Sequence, residues 1–366
     1  MTNVSAVETS VYGIPNEDPL EDATQSFDEL ELVVVRIETS DGITGTGFTY
    51  TIGTGGHAIA SFVKSVYEPI LRGMTGAPRA VHSRLASESL FVGRAGISEL
   101  GLAAVDIALW DAHAKRRGVP LYELVGGSPG SVPAYQTDGG WLQYDTETLI
   151  ENATAAADAG FCGFKMKIGR GVRADAARVR AVRDTLPDDM ELMLDANCSL
   201  TIPETRQLLK NLRDVPIAWL EEPFDPRDVA AYAEISGEGG TPLAAGENYY
   251  NTRQFKQALA FEALDFLQPD VCRVGGITPL LDVIGTASTW NMPLVPHYIE
   301  PIHAQLALAF DVIPYIERHS TVLDTVIQEP ITVENGSVTP STTPGIGMEF
   351  SHLDAYEKEA EPTKRF

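Results

Sequence analysis

Asp195, Glu221 and Glu247 stand 26 residues apart, each at or just beyond the end of a short apolar run. One strand–helix unit of a parallel β/α fold takes about that length. From Val132 onward, such runs alternate with stretches of helical periodicity. The strand candidates are 132–137, 163–168, 192–195, 218–221, 242–245, 266–268, 293–295 and 314–317, separated by helical stretches such as 147–159 and 173–185. Eight strands with seven intervening helices predict a parallel β/α barrel.

The first 125 or so residues follow another pattern. Residues 30–39 read as a strand rich in β-branched side chains, and Asp41-Gly42 turns the chain into a second strand at 45–51. Helical spacing covers 57–72 and 97–117, the latter closing on basic residues and Gly118. A Gly/Ser/Pro segment at 126–130 marks a boundary. Beyond Ser320 the chain is turn-rich, with a hairpin pattern in ITVENGSVTP, and is expected to fold back onto the first unit. The expected domains are therefore 1–127 (α+β), 128–318 (barrel) and 319–366 (return segment).

Composition narrows the function. The chain carries 51 acidic residues against 27 basic ones, a net charge of −24. That balance argues against nucleic-acid and anionic-membrane partners, and fits a solvated surface of the halophilic kind. No apolar run is long enough to span a bilayer, and the first ten residues lack the pattern of a secretory leader. Three dispersed cysteines give neither a disulfide framework nor a zinc pattern, so a cytoplasmic location is expected.

Polar residues gather at the C-terminal ends of the predicted strands, where a β/α barrel builds its active site. Strand two ends in Lys165-Met166-Lys167, strand three in Asp195-Ala196-Asn197, and strand four in Glu221-Glu222-Pro223. Glu247, Asp270, His297 and Glu317 follow on strands five to eight. Three converging carboxylates repel one another unless a cation sits among them, and an all-oxygen set without Cys or His points to Mg²⁺. Alternation puts Lys165 and Lys167 on one face with Met166 facing the helices. Two ammonium groups beside a dication are expected to depress each other's pKa and yield a neutral amine base. Asp270 and His297 end neighbouring strands, so the carboxylate can orient and charge the imidazole. His57, His82, His113, His303, His319 and His352 lack such a context and read as structural, and Cys198 and Cys272 as small fillers.

The motifs GFKMKIG (163–169), LDAN (194–197), WLEEP (219–223), GEN (246–248), PDVCRVGGIT (269–278), PH (296–297) and IER (316–318) together resemble the mandelate racemase subgroup of the enolase superfamily. The resemblance covers nearly the whole chain. It implies an α/β fold, a modified (β/α)7β TIM-like barrel with an N-terminal α+β capping domain, in a homo-oligomer. It implies that Asp195, Glu221 and Glu247 bind Mg²⁺, which stabilises the enediolate formed when the proton α to a carboxylate leaves. Lys167 would be the base on one face, with Lys165 contacting the carboxylate and tuning it. His297, paired with Asp270, would act from the other face. Glu317 would donate a hydrogen bond or a proton to the substrate carboxylate, and Asn197 would contact the α-hydroxyl or an oxygen on the metal. Arg273 falls outside this set and reads as a structural or rim residue.

Relatives that are cycloisomerases or dipeptide epimerases carry a second lysine after strand six; here that region is Asp270-Val271-Cys272-Arg273, which sets those activities aside. Dehydration of a sugar acid to a 2-keto-3-deoxy acid and racemisation of a 2-hydroxy acid remain, with a non-catalytic ligand-binding relative as a remote third reading. The polar segment 15–25 corresponds to the family's substrate-closing loop and suits a polyhydroxylated acid, which favours dehydration. Trp141 and Tyr298 are candidates for an apolar wall.

Overall fold

The computed structural model describes residues 2–319 and 322–359. The chain opens with an antiparallel three-stranded sheet, β1 (Val4–Glu21), β2 (Ser26–Thr39) and β3 (Thr44–Ile52), in the order β1-β2-β3. Helix Ile97–Arg117 lies across it. A Cβ on Gly45 would sit 2.0 Å from the Ala108 carbonyl, and one on Gly47 2.1 Å from that of Ala104. The glycines of β3 and the small residues of the helix thus let two backbones meet where any larger side chain would hold them apart. The stretch expected as one helix over 57–72 is interrupted by a π-helical segment, Val63–Tyr67.

The barrel follows. Strands β4 (Val132–Gln136), β5 (Gly163–Lys167), β6 (Glu191–Asp195), β7 (Trp219–Glu221), β8 (Leu243–Ala245) and β9 (Phe266–Leu267) pair in parallel in that order. The seventh place is held by a single parallel bridge between Leu267 and Leu294, and β10 (Ile316–Arg318) pairs in parallel with β4 to join the ends. Outward side chains such as Phe164, Met166, Leu192, Leu194 and Leu220 pack in the main hydrophobic core. Inside, Tyr135, Met193, Trp219, Ala244 and Val295 form a separate cluster. The Trp219 and Tyr315 rings stack with centroids 6.3 Å apart. This apolar plug is the floor on which the polar rim stands.

The hairpin expected in ITVENGSVTP is β11 (Val333–Glu334) and β12 (Ser337–Val338), but β12 pairs antiparallel with barrel strand β4 rather than with the first unit. The chain reaches the first unit from Gly345 onward, through a bridge to Pro120, the Ile346 N bond to Asp111, a bridge from Glu357 to Tyr12 and the ion pairs of Lys358 with Glu29 and Glu31. Among the described residues no helix is long and apolar enough to cross a membrane.

One buried acid couples the two units. Asp106, fully buried on helix Ile97–Arg117, accepts hydrogen bonds from Thr278 N (2.8 Å) and Thr278 Oγ1 (2.7 Å) in the loop-to-helix turn after Asp270. Burial pushes its carboxyl up from 3.8 to about 7 despite those donors. A raised folded pKa means the stabilisation is complete below the unfolded value and is lost as pH rises through about 7. Asp106→Asn is therefore expected to flatten this dependence. Urea midpoints measured from pH 4 to pH 8 should decline more steeply in the wild type, by up to ~4 kcal/mol of relative stability.

Candidate active site

The strand register sets the site. Lys167, Asp195 and Glu221 are lateral partners across β5, β6 and β7, so their side chains leave the barrel at one height. Glu247 joins them from two residues beyond β8. A carboxylate oxygen from each of Asp195, Glu221 and Glu247 lies within 4.8 Å of the others, a spacing that suits one cation. Two observations fit a hard cation there: Glu247 Oε2 and Asn197 Oδ1 are buried without a hydrogen-bond partner. Glu221 Oε2 is fixed by Trp219 Nε1 at 3.0 Å and Gln268 Nε2 at 2.7 Å.

Both lysines point inward as alternation requires. Lys165 Nζ lies 2.9 Å from Glu221 and 2.6 Å from Glu317, and Lys167 Nζ lies 2.5 Å from Asp195. Burial alone would discharge them, but the surrounding carboxylates reverse its effect and raise both pKa values. The neutral amine expected from the lysine pair is thus opposed by Asp195 and Glu221, which that argument had counted only as metal ligands. Burial, with the neighbouring Asp195 charge, pushes Glu221 up to about 8. Glu317 goes the other way: Lys165 outweighs burial and holds it well below its usual range. It accepts from Thr137 Oγ1 (2.7 Å) and Tyr298 N (2.8 Å). Its geometry is that of an acceptor that holds Lys165, not of the hydrogen-bond donor expected from the sequence.

His297 Nδ1 lies 2.9 Å from Asp270 Oδ2, and its Nε2 lies 3.5 Å from Glu247. Burial opposes the imidazolium, but Glu247 and the Asp270 bond prevail and raise its pKa to about 9. Asp270 is anchored by Cys272 N at 2.7 Å and by Tyr50 OH at 2.6 Å. Tyr50 belongs to β3, so the first unit supplies a third member to the His–Asp pair. Among the described residues, five of the nine non-glycine residues with positive φ (Asn197, Cys198, Glu222, Tyr298 and Ile299) closely follow barrel strands or the seventh place. Backbone strain is thus concentrated on the rim.

These groups open into a cavity of about 550 Å³, which is also lined by Trp141, Glu222, Asn248, Arg273, Tyr298 and His319. Its roof includes Asp22, Thr24, Gln25 and Phe27. The segment 15–25 is therefore not a free loop: β1 runs to Glu21, and the turn at 22–25 is the tip of a hairpin over the mouth. Asp22 Oδ1 holds that turn by accepting from Thr24 N and Gln25 N. The structure brings every sequence-nominated residue to this rim. Sequence reasoning passed over Tyr50, Glu222 and the cavity faces of Arg273 and His319. For Glu222 a signal existed in its place beside Glu221 in the EEP motif.

Comparison with known proteins identifies the lineage. Residues 6–126 match the mandelate racemase/muconate lactonizing enzyme N-terminal domain, and residues 148–355 match the enolase C-terminal domain-like model. The chain belongs to the mandelate racemase/muconate lactonizing enzyme family of the enolase superfamily. It is 30% identical to the L-talarate/galactarate dehydratase of Salmonella typhimurium, over 94% of this chain and 88% of the relative. It is 34% identical to the 3,6-anhydro-alpha-L-galactonate cycloisomerase of Streptomyces coelicolor, over 96% of this chain and 98% of the relative. The Salmonella dehydratase structure, liganded with Mg and L-lyxarohydroxamate, superposes with a TM-score of 0.92 at 29% identity, covering 98% of this chain and 93% of that one. These relatives include both a dehydratase and a cycloisomerase.

If the three carboxylates hold one cation, Glu221→Gln is expected to weaken Mg²⁺ binding by at least about 10-fold in calorimetric titration, with the fold retained.

Proposed function

We propose that this family member is a Mg²⁺-dependent lyase that dehydrates a sugar acid, an aldonate or aldarate, to a 2-keto-3-deoxy acid. Residues 128–318 carry the chemistry and residues 1–127, with the return segment 319–366, close it off. The observation that carries the reading is that two different proton carriers flank the carboxylate trio. Lys167 stands beside Asp195, and His297, charged through Asp270, stands beside Glu247. Around the eight-place ring the trio occupies places three to five, with Lys167 on two and His297 on seven.

Asp195, Glu221 and Glu247 would hold the Mg²⁺, whose charge beside the substrate carboxylate offsets the negative charge that builds up when the α-proton leaves. Lys165, fixed by Glu317, binds that carboxylate. Asn197, whose side-chain oxygen is buried without a partner, takes the α-hydroxyl. Lys167 accepts the C2 proton once its carboxylate partner is engaged elsewhere. His297, whose protonated form Asp270 favours at 2.9 Å, donates a proton to the departing C3 hydroxyl. Carbon loses a proton at C2 and a hydroxyl at C3, and the enol that remains ketonises. The hairpin tip keeps water from the reacting carbons.

A cycloisomerase reading is favoured by the 34% identity to the Streptomyces enzyme. The chemistry differs only in the leaving group. If the C3 oxygen is tethered in a ring, the same proton transfers open the ring and no water is released. A racemase would use Lys167 and His297 alternately and leave C3 intact.

One assay separates the three. Wild-type enzyme with Mg²⁺ is incubated in D₂O with aldonates, aldarates and their anhydro or lactone forms, and products are read by mass and NMR. Loss of water from an open-chain acid supports dehydration. Ring opening at constant mass supports the cycloisomerase, and inversion at C2 with exchange but no keto acid supports a racemase. Neither product nor C2 exchange with any acid would remove the reading altogether. Lys167→Ala is expected to lower turnover by about 10³-fold or more. Tyr50→Phe should cost about 10-fold in kcat, with little effect on KM, by loosening the Asp270–His297 pair.

A further inference from the structure

We propose that Arg273 is the recognition site for a second carboxylate at the far end of the substrate, so that aldarates are preferred over aldonates. This rests on the sugar-acid reading above and names its substrate class.

Arg273 lines the cavity and is largely enclosed. The other mostly buried arginines are paired with acids: Arg178 with Asp175, and Arg318 with Glu300 and Asp324. Arg273 has no carboxylate oxygen within 4.0 Å among the described residues, in a chain with 51 acidic side chains. Enclosing a charge without a counter-charge is costly. Such a group is expected to persist where an incoming anion supplies the partner.

Its direct partners are neutral, and the Asp270 and Glu247 charges act on it only from beyond ion-pair distance. Nη2 donates to Asn248 Oδ1 at 2.7 Å and to Tyr250 OH at 3.2 Å, and the guanidinium carbon lies 5.3 Å from the Tyr250 ring centroid. Nε is buried with no acceptor, and Nη1 makes no hydrogen bond among the described residues. The acids sharing this end of the cavity are Glu222 and Glu247. Glu222 is held off by Asn248, whose Nδ2 donates to its Oε2 at 2.6 Å. Asp22 on the roof also lines the cavity, with both carboxylate oxygens engaged by Thr24 and Gln25 of its own turn.

Charge is therefore arranged at two ends. Lys165 and Lys167 come from place two of the ring, and Arg273 from the loop after place six. An aldarate is anionic at both ends and matches both; an aldonate matches one. The planar fork of an arginine suits bidentate capture of a carboxylate.

The test uses pairs of sugar acids with the same hydroxyl configuration, such as galactarate and galactonate, with the full-length Mg²⁺ enzyme. The wild type is expected to favour the aldarate of at least one pair by about 30-fold or more in kcat/KM, mostly through KM. In Arg273→Met the aldarate/aldonate ratio should fall about 100-fold, and Arg273→Lys should recover part of it. Equal losses on both acids, or no loss on either, would overturn the proposal. So would a wild-type preference for aldonates, a result that stands even if the variants do not fold. If C2 exchange persists on aldonates in those cases, the dehydratase reading survives while the subsite falls. If neither member of any pair exchanges in the wild type, both fall together.

Discussion

Five ionisable side chains, Asp195, Glu221, Glu247, Lys165 and Lys167, meet at the mouth of one barrel, all buried except the partly exposed Glu247. Left to themselves, three carboxylates at that spacing repel strongly, and two buried ammonium groups would shed their protons. Each set is tolerable only because of the other, through contacts of 2.5 to 2.9 Å between Lys167 and Asp195 and between Lys165 and Glu221. This mutual neutralisation also makes the site responsive. A cation that takes over the carboxylates changes the electrostatic environment of the lysines that flank them, and a substrate carboxylate then has a cationic wall to bind.

The rest of the fold serves that arrangement. The Trp219–Tyr315–Tyr135 plug closes the barrel below, so charge can exit only upward. Parallel register places Lys167, Asp195 and Glu221 in one row. The first unit reaches into the site as well as covering it. Tyr50 bonds to Asp270, Asp106 secures the turn after that residue, and the β1–β2 hairpin tip forms the roof.

Much of this is legible in the chain because a parallel barrel strand is buried on both faces. It reads as an apolar run ending in a polar residue, and Lys165, Asp195 and Glu221 stand out against their runs. The seventh place was legible as Pro293–Val295, although only Leu294 bridges there. The roof was not legible as strand. Over Pro15–Glu21 the residues are mostly polar and the β1–β2 pairing shifts register between Pro15 and Leu20, so the alternation that marks a strand is lost. Tyr50 was invisible for another reason. Its contact with Asp270 spans 220 residues, and nothing local on β3 distinguishes it from a core tyrosine. The ionisation of Glu317 was misjudged because its partners, Thr137, Tyr298 N and Lys165, come from three separate strand ends.

If the acidic trio holds the Mg²⁺, its charge is balanced by protons and lysines until the cation arrives. Calorimetric titration with Mg²⁺ at pH 7, repeated in buffers of different ionisation enthalpy, tests it directly. Burial and the Asp195 charge push Glu221 up to about 8, so the proton shared in the Lys165–Glu221 pair is set to leave when a cation takes the carboxylate. The account predicts release of about one proton per Mg²⁺ bound, seen as a heat that scales with buffer ionisation enthalpy. A binding heat independent of the buffer, or no saturable binding at all, would contradict it.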